Sequence, residues 1–273
     1  MNIGIIGQGF VGNAVYQKFK SFYKIYRYDL KEELSNSSFN ELTKNCNIIF
    51  VCLPTPMNKD GSCNIEIVRE VLSKINNATK SIIINKSTVV PGTTEKFNKE
   101  FKNLEIVFNP EFLTERNAIQ DFNNQNRIIL GGLDSVVNEV KHIFSTVFTS
   151  AEIINIDSKH AEMIKYFTNC FLSNKVSFAN EMYDLCSVLG LDYDKVVNQA
   201  SLDKRLGKTH WAVPGPDGDF GFGGHCFPKD LSAIIKLSED LGSNSILLKS
   251  IIKSNDKVRK NRDWEKMKGR AVN

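Results

Sequence analysis

The feature that most constrains the fold of this 273-residue chain is a glycine-rich turn between an apolar run and a helical pattern. Residues 3–6 are apolar, and Gly7-Gln-Gly-Phe-Val-Gly12 follows them directly. A second strand-like run then ends at Asp29. In such a unit the first glycine allows a tight turn, the second lets a pyrophosphate approach the backbone, and the third lets the helix pack on the strand. This order of strand, glycine turn, helix, second strand and acidic residue predicts a dinucleotide-binding unit.

The same turn predicts which residues hold the cofactor. The amino end of the helix attracts phosphates, and a carboxylate after the second strand accepts hydrogen bonds from the ribose hydroxyls, which favours NAD over NADP. A glycine turn with no ligand is the alternative interpretation. The predicted cofactor-binding residues of this segment are Gly7, Gly9, Phe10, Val11, Gly12 and Asp29.

The rest of the first half alternates apolar strands with helical patterns. The strand candidates are residues 47–53, 81–85, 105–109, 127–131 and 152–157. Continuous apolar strands that alternate with helices indicate a parallel sheet covered on both faces. We therefore predict an α/β fold, with a Rossmann-like doubly wound parallel sheet over residues 1–156. Ligand contacts are expected in the loops at the carboxyl ends of the strands.

The second half predicts an all-α domain over residues 157–273. Ser158 is a suitable N-cap and Gly190 a suitable C-cap for a long helix, whose apolar residues recur at helical spacing. Such a helix suits a domain connector and a homodimer face. Another helix is predicted over residues 192–205, and the basic segment from Lys257 onward is interpreted as a solvated helix end and tail.

Composition excludes several classes of function. The net charge of +4 comes from scattered basic residues, so neither nucleic acid nor a membrane is an expected partner. The chain starts directly with a strand-like run and has no long apolar stretch, which predicts neither a signal peptide nor a membrane span. Six dispersed cysteines without CxxC pairs indicate reduced thiols in a cytoplasmic protein and give no metal-binding spacing.

A second motif, Gly221-Phe-Gly-Gly-His-Cys-Phe-Pro-Lys-Asp230, combines three glycines with a cysteine just before a predicted helix. A helix amino end and a neighbouring lysine both favour the thiolate form of a cysteine. The spacing therefore makes Cys226 a candidate nucleophile. The alternative interpretation is a glycine turn with a buried cysteine, which is the more common use of an isolated free thiol.

This motif resembles the active-site signature of the UDP-glucose/GDP-mannose dehydrogenase family, and the resemblance extends from residue 1 to about residue 255. The loops that contain Ser87-Thr-Val-Val-Pro-Gly-Thr-Thr94 and Asn109-Pro-Glu-Phe-Leu-Thr-Glu115 are similar to two further motifs of that family. The resemblance implies an enzyme that uses NAD twice to oxidise the primary alcohol of a nucleotide sugar to a carboxylate. It also implies a thiohemiacetal and then a thioester on the motif's cysteine.

The family's residue roles are implied at the matching positions. The implied catalytic residues are Cys226, Lys165, Asn169, Asp230, Glu111 and Thr88. Thr55, Thr88 and Glu115 are implied to join the cofactor site. The implied substrate-binding residues are Phe112, Leu113, Lys165, Asn169, Arg205, Phe222, Gly223 and Lys229, with Arg205 reaching the substrate of a neighbouring subunit.

The sequence departs from the family at several points. Arg116 stands where the family usually has glycine, and His225 replaces the serine common in UDP-glucose dehydrogenases. The family's usual further domain, which holds the nucleotide, is absent, so the chain is interpreted as a short form or a fragment. UDP-glucose is the expected substrate, with UDP-N-acetylhexosamine or GDP-mannose as alternatives. A non-catalytic NAD-binding paralogue and a two-electron hydroxyacid-type dehydrogenase are the remaining alternatives.

Overall fold

The computed structural model describes residues 1–273 and divides into two compact units. The first unit consists of Met1–Thr55 and Asn64–Lys165, and the second of Pro56–Cys63 and Tyr166–Asn273. The short segment Pro56–Cys63 thus groups with residues far from it in sequence. No helix of the structure has the length and apolar character needed to cross a membrane.

The first unit is built on a seven-stranded sheet. Its strands are β1 (Asn2–Ile6), β2 (Lys24–Tyr28), β3 (Ile48–Val51), β4 (Ser81–Asn85), β5 (Leu104–Phe108), β6 (Arg127–Gly131) and β7 (Glu152–Ile156). Their order is β2-β1-β3-β4-β5-β6-β7, which confirms the predicted Rossmann-like sheet. The pairing is parallel except between β5 and β6, which meet antiparallel at Phe108 and Gly131. The expectation of a wholly parallel sheet is wrong at this one junction.

Helices alternate with the strands in this unit. They are α1 (Phe10–Phe19), α2 (Phe39–Asn45), α3 (Glu66–Ala78), α4 (Thr93–Glu100), α5 (Ala118–Asn123) and α6 (Asp134–Val147). Successive side chains of a strand point to opposite faces of the sheet. Ile5 accordingly packs in one buried apolar cluster and Ile6 in another. The uninterrupted apolar strands in the sequence follow from this burial on both faces.

The second unit is helical. Its elements are most of α7 (Ser158–Val188), together with α8 (Tyr193–Ala200), α9 (Phe227–Asp240), α10 (Ile246–Val258) and a short 3-10 turn (Asp263–Lys266). The predicted long helix is confirmed, and Gly190 follows it with a left-handed φ of 69°. The helix predicted over residues 192–205 is wrong beyond Ala200, because turns that involve Asp203 and Gly207 replace its last part.

The basic segment after Lys257 is not a solvated tail. Arg259, Trp264 and Ala271 are 4%, 4% and 1% exposed, respectively. The backbone N–H of Met57 donates to the carbonyl of Ala271 over 2.8 Å, and the N–H of Asn273 donates to the carbonyl of Met57 over 3.0 Å. The end of the chain therefore packs as part of the second unit.

Glu162 of α7 is a fully buried carboxylate in the first unit. Its oxygens accept hydrogen bonds from the backbone N–H groups of Gly92, over 2.5 Å, and Thr94, over 2.7 Å. Gly92 has a left-handed φ of 91° and precedes α4. Burial raises the pKa of Glu162 to about 7, although these hydrogen bonds act in the opposite direction. The carboxylate thus holds the start of α4 and the loop before it.

This raised pKa predicts a pH-dependent stability. Because the pKa is higher in the folded than in the unfolded protein, Glu162 contributes stability below its ordinary pKa of 4.5 and loses it as the pH rises through about 7. We expect wild type to lose on the order of 3 kcal/mol relative to Glu162→Gln over that interval. Urea unfolding of both proteins at a series of pH values measures the difference. If the stabilities of wild type and Glu162→Gln changed in parallel with pH, the raised pKa of Glu162 would be contradicted.

Candidate active site

The glycine turn lies at the carboxyl end of β1, where the strand order of the first unit reverses. Gly7 has a left-handed φ of 88°, and its N–H donates to the carbonyl of Tyr28 over 2.9 Å. A Cβ on Gly12 would lie 1.9 Å from the carbonyl oxygen of Gly7, so only glycine fits there. A Cβ on Gly9 would meet nothing within 4 Å. The open space above Gly9 fits a ligand that approaches the backbone, as a pyrophosphate does.

Asp29 closes this turn from the end of β2. Its Oδ2 accepts a hydrogen bond from the N–H of Gln8 over 2.6 Å, and its Oδ1 accepts one from the N–H of Lys31 over 3.0 Å. Each carboxylate oxygen has capacity for a further donor. Asp29 is half-buried, so it fits the role of accepting ribose hydroxyl groups at the amino end of α1.

The loops after β3 and β4 are joined by a buried hydrogen bond. The Thr55 hydroxyl donates to the carbonyl of Thr88 over 2.7 Å, and both residues are buried. Beside them the ammonium of Lys86 donates to Oδ1 of Asn109 over 2.8 Å, and burial lowers the pKa of Lys86 to about 8. Thr55 and Thr88 are therefore held in fixed positions at the carboxyl ends of neighbouring strands.

Glu111 and Lys165 form a buried ion pair in the first unit. Lys165 Nζ lies 2.8 Å from Glu111 Oε1 and donates to the Glu111 carbonyl over 2.6 Å. The other carboxylate oxygen accepts from the N–H of Leu113 over 2.8 Å. Burial acts to raise the pKa of Glu111, but the charge and hydrogen bond of Lys165 outweigh it and leave that pKa lowered. Lys165 also lies 5.7 Å from the ring centre of Phe112.

Two of the predicted cofactor residues share a surface depression of about 310 Å³. Phe10, at the start of α1, and the exposed Glu115 both line it, as does Arg116. A larger cavity of about 620 Å³ lies at the amino ends of the strands, where Asn2, Ile48 and Ser81 line it. That cavity contains none of the predicted site residues, and in doubly wound sheets ligands bind at the carboxyl ends instead.

In the second unit, Cys226 is the N-cap residue of α9, and Pro228 is the second residue of the helix. The side chain of Cys226 is half-buried. Three other thiols are less acidic than an ordinary cysteine, because burial raises the pKa of Cys46 to about 11 and those of Cys52 and Cys170 to about 12. The helix dipole favours the thiolate only at Cys226 among these four.

A buried polar chain lies on the first turn of α9. The Asn169 amide donates to Oδ2 of Asp230 over 2.6 Å, and Lys229 Nζ lies 2.5 Å from Oδ1 of the same carboxylate. Burial acts to lower the pKa of Lys229, but the carboxylate of Asp230 and the nearby thiols Cys63 and Cys226 outweigh it, so that pKa is raised. Lys229 therefore remains a cation close to Cys226.

The remaining predicted substrate residues differ in exposure. Phe222 is buried, and its ring meets the ring of Phe227 edge-on at 6.0 Å. Gly223 lies in the turn that leads to Cys226. Arg205 is 88% exposed and pairs with Asp203 over 2.5 Å. Its exposure fits contact with another molecule and gives it no role within its own unit.

Sequence reasoning missed several residues that hold these loops. They are Lys86, Asn109, Glu162, Asn180, Asn255, Arg259 and Asp263, all of them polar residues with buried or partly buried partners. For Glu162 a signal existed, since it precedes Lys165 by one helical turn on the face that carries the predicted catalytic residues. Each of the others has at least one partner distant in sequence, which left no local pattern.

Models of one protein family match both units. Residues 23–150 match the NAD binding domain of the UDP-glucose/GDP-mannose dehydrogenase family, and residues 159–257 match the central domain of the same family. The two matches contain the ion pair Glu111–Lys165, the amide of Asn169 and the motif that carries Cys226.

Curated relatives carry the corresponding names. UDP-glucose 6-dehydrogenase TuaD of Bacillus subtilis (strain 168) is 33% identical over 225 residues, which cover 78% of this chain and 47% of that protein. UDP-glucose 6-dehydrogenase of Rickettsia bellii (strain RML369-C) is 35% identical over 233 residues, covering 82% of this chain and 52% of that protein. The chain spans about half the length of the curated relatives it matches.

Solved structures show the same fold. A UDP-glucose dehydrogenase from Pyrobaculum islandicum superposes with a TM-score of 0.85 at 27% identity, covering 94% of this chain and 68% of that one. A UDP-D-ManNAc dehydrogenase from Pyrococcus horikoshii gives a TM-score of 0.80 at 20% identity, covering 94% of this chain and 68% of that one. The 3-hydroxyisobutyrate dehydrogenase of Mycobacterium tuberculosis reaches 0.76 at 16% identity, covering 94% and 92%, and shares the fold alone.

Proposed function

Because the chain belongs to the UDP-glucose/GDP-mannose dehydrogenase family, we propose that it oxidises the primary alcohol of a nucleotide sugar to a carboxylate with NAD. The observation that carries this proposal is the half-buried Cys226 at the amino end of α9, one turn before the buried Lys229 and Asp230. A two-electron alcohol dehydrogenase has no use for such a thiol, whereas oxidation of an aldehyde to an acid needs a nucleophile.

The cofactor is held by the first unit in this proposal. Gly9 leaves room for the pyrophosphate, Gly7 and Gly12 allow the tight turn and the close packing of α1, and Asp29 presents carboxylate oxygens to the ribose. Phe10, Val11, Thr55, Thr88 and Glu115 complete the proposed set at the carboxyl ends of the strands. When bound, NAD accepts a hydride at each of the two oxidation steps.

Charged and polar side chains are proposed to handle the protons and oxyanions of the reaction. Lys165 is held as a cation by Glu111, and this cation stabilises the negative oxygen that forms at the carbinol carbon. The amide of Asn169 is a second proposed donor, oriented by Asp230. Glu111, Asp230 and Thr88 are proposed to position the waters and protons of the reaction.

Cys226 divides the second oxidation into steps. Its thiolate adds to the aldehyde carbon and forms a C–S bond, so the carbonyl oxygen becomes the oxyanion of a thiohemiacetal. Loss of a hydride from that carbon leaves a thioester on Cys226. Water then attacks the thioester carbon, the C–S bond breaks, and the carboxylate leaves while the thiolate is restored. Lys229 stabilises the thiolate at the start and end of this sequence.

The sugar nucleotide is proposed from the relatives. UDP-glucose is the first candidate, since the relatives above are named as UDP-glucose dehydrogenases. GDP-mannose is one alternative, because the family name includes it. A UDP-N-acetylhexosamine is the other, because the resemblance implies a histidine before the cysteine in enzymes of that type and His225 stands there. We propose that Phe112, Leu113, Phe222 and Gly223 contact the sugar, and that Arg205 reaches the substrate of a second copy.

Counting NADH per sugar consumed tests the proposed reaction. With UDP-glucose as limiting substrate, we expect two NADH for each sugar and a carboxylate product. One NADH per sugar would overturn the thiol mechanism, because the reaction would then stop after a single oxidation. With no NADH from UDP-glucose, the same count on UDP-N-acetylmannosamine and GDP-mannose decides the substrate. No NADH from any of the three would favour a non-catalytic NAD-binding role.

The glycine turn gives a prediction that separates folding from cofactor binding. Gly12→Ala places a Cβ against the Gly7 carbonyl, so we expect a loss of stability on the order of 3 kcal/mol. Gly9→Ala meets no protein atom, so we expect its stability to stay within about 0.5 kcal/mol of wild type. The same Gly9 variant is expected to bind NAD at least about tenfold more weakly, because its methyl group occupies the pyrophosphate position. Thermal unfolding and calorimetric titration with NAD measure both effects, and wild-type NAD affinity in Gly9→Ala would contradict the site.

We propose that a second copy of the chain covers one face of α7. Phe167, Phe171 and Phe178 are 69%, 58% and 53% exposed, and their spacing of four and seven residues places them on one side of the helix. Large apolar side chains in a row on a surface mark an interaction face. Phe171→Glu is expected to convert a dimer to a monomer in sedimentation velocity, whereas Leu30→Glu, at a 91% exposed position in the first unit, should leave it unchanged. A wild-type monomer would contradict the proposal.

A further inference from the structure

The turn before Cys226 is held by side chains of other elements. The N–H of Phe222 donates to Oδ1 of Asn255 over 2.7 Å, and Nδ2 of Asn255 donates back to the carbonyl of Phe222 over 3.0 Å. The N–H of Gly221 donates to Oδ1 of Asn180 over 3.0 Å. This stretch of backbone belongs to no helix or strand, so amide side chains supply the partners that secondary structure would otherwise provide.

Arg259, just after α10, lies behind the same turn, and its side chain is only 2% exposed. Nη1 donates to Asp217 over 2.7 Å, Nη2 donates to Asp263 over 3.2 Å, and Nε donates to the carbonyl of Asn261 over 2.7 Å. A third carboxylate, Asp219, lies 3.6 Å from Nε. One buried guanidinium therefore joins the loop around Asp217, the segment after α10 and the glycine turn.

The contact with the glycine turn is close enough to explain one of its glycines. A Cβ on Gly223 would lie 2.3 Å from Nη2 of Arg259 and 2.3 Å from Oδ1 of Asp263. Both carboxylate oxygens of Asp263 accept from the N–H of Gly224, over 3.2 Å and 3.1 Å. The contacts thus run from Arg259 through Asp263 to Gly224, which has a left-handed φ of 72° and stands two residues before Cys226.

We propose that Arg259 is a positioning residue for Cys226, which acts through Asp263 by fixing the glycine turn at the amino end of α9. The inference rests on the proposed function only in taking Cys226 as the nucleophile. A flexible turn would not hold the thiol at the helix N-terminus, where the dipole and the Lys229 cation favour the thiolate. Arg259 is suited to this task because its planar guanidinium reaches several acceptors at once, which a lysine ammonium on a flexible stem does not reproduce.

The carboxylates around Arg259 allow the test to be made in a folded protein. Asp217, Asp219 and Asp263 are 44%, 25% and 28% exposed in their side chains, so water can reach them when the guanidinium is removed. We therefore expect Arg259→Gln to disturb the turn without unfolding the second unit.

The rate of Cys226 alkylation by iodoacetamide, measured peptide by peptide as a function of pH, tests the proposal. In Arg259→Gln we expect alkylation about tenfold slower near neutral pH, with the midpoint of its pH profile shifted upward. Arg259→Lys should recover only part of the rate, because it cannot bind Asp217 and Asp263 together. The control is Arg262→Gln, because this arginine is 48% exposed and pairs with Asp256 and Glu265 rather than with residues of the turn.

A second pair of variants keeps the test decisive if Arg259→Gln does not fold. Asp263→Asn retains an acceptor oxygen for the Gly224 N–H, whereas Asp263→Ala removes it, so we expect a larger loss of alkylation rate in the alanine variant. Wild-type alkylation profiles in folded Arg259→Gln, or in both Asp263 variants, would overturn the inference. The assay needs no sugar nucleotide, so a slowed Cys226 in a protein that makes no carboxylate would support the positioning role while the proposed function fails.

Discussion

Cys226→Ser is expected to reduce formation of the carboxylate product by about three orders of magnitude, the scale on which loss of a covalent nucleophile acts. A serine hydroxyl is not ionised near neutral pH and lacks the thiolate that the helix N-terminus and Lys229 stabilise. The glycine turn of the first unit is unchanged by this substitution, so NAD affinity is expected to remain within about twofold of wild type. Quantifying the carboxylate by chromatography, together with NADH, measures the effect.

The matched control is Cys46→Ala. Cys46 is fully buried, and burial raises the pKa of its thiol to about 11, so it is an inert apolar side chain. We expect this variant to lose some stability while keeping wild-type turnover. The outcome that would contradict the thiol mechanism is a Cys226→Ser protein that still releases two NADH and one carboxylate per sugar at the wild-type rate.

The parts of the fold predicted from the sequence are those specified by local pattern. The turn at Gly7 follows from strand, glycine and helix signals within a short segment, and the structure shows the left-handed φ that the pattern requires. Buried strands were recognisable because both of their faces are apolar, as Ile5 and Ile6 illustrate. The antiparallel junction of β5 with β6 was not predictable, since strand direction depends on pairing between distant residues rather than on composition.

The helix that ends at Ala200 shows a related limit of prediction from sequence. Apolar spacing continued toward Arg205, but Ser201 and Asp203 compete with helix formation by bonding to nearby backbone and side chains. Asp203 instead accepts from the N–H and the guanidinium of Arg205. Local competition of this kind shifts the end of a helix without removing the helix.

For the proposed site, candidate residues could be named from the sequence, whereas the residues that support them could not. The motif spacing named Cys226, and the resemblance to the family named Glu111 and Asp230 at the matching positions. Arg259 was interpreted as part of a solvated segment, because it lies in the most basic part of the chain. Its burial depends on Asp217, which lies 42 residues earlier in the chain and leaves no trace in the local pattern.

Lys165→Met is expected to lower kcat on the order of a hundredfold or more, because it removes the cation proposed to stabilise the oxyanion. It also removes the partner of a buried carboxylate. Glu111 is 7% exposed, and a buried charge left without its partner costs about 3–5 kcal/mol of stability. A single variant therefore mixes a catalytic effect with a structural one.

The double variant Lys165→Met/Glu111→Gln separates the two effects. With no buried charge left, we expect most of the lost stability to return, whereas kcat stays at or below that of the single variant. Chemical denaturation and initial-rate kinetics on all three proteins measure this. If turnover recovered together with stability, the role of Lys165 would be structural and the proposed oxyanion contact would be wrong.

The pH dependence of stability gives an independent test of the ion pair between Glu111 and Lys165. In wild type the pKa of Glu111 is lowered by Lys165 against the effect of burial, so its contribution is present above the ordinary pKa of 4.5 and lost as the pH falls. Without Lys165, burial is the largest remaining influence and raises that pKa, so the contribution is lost as the pH rises instead. We therefore expect wild type and Lys165→Met to diverge in stability with increasing pH, and the double variant to remove the divergence. Identical pH profiles for wild type and Lys165→Met would mean that the two side chains are not paired in solution.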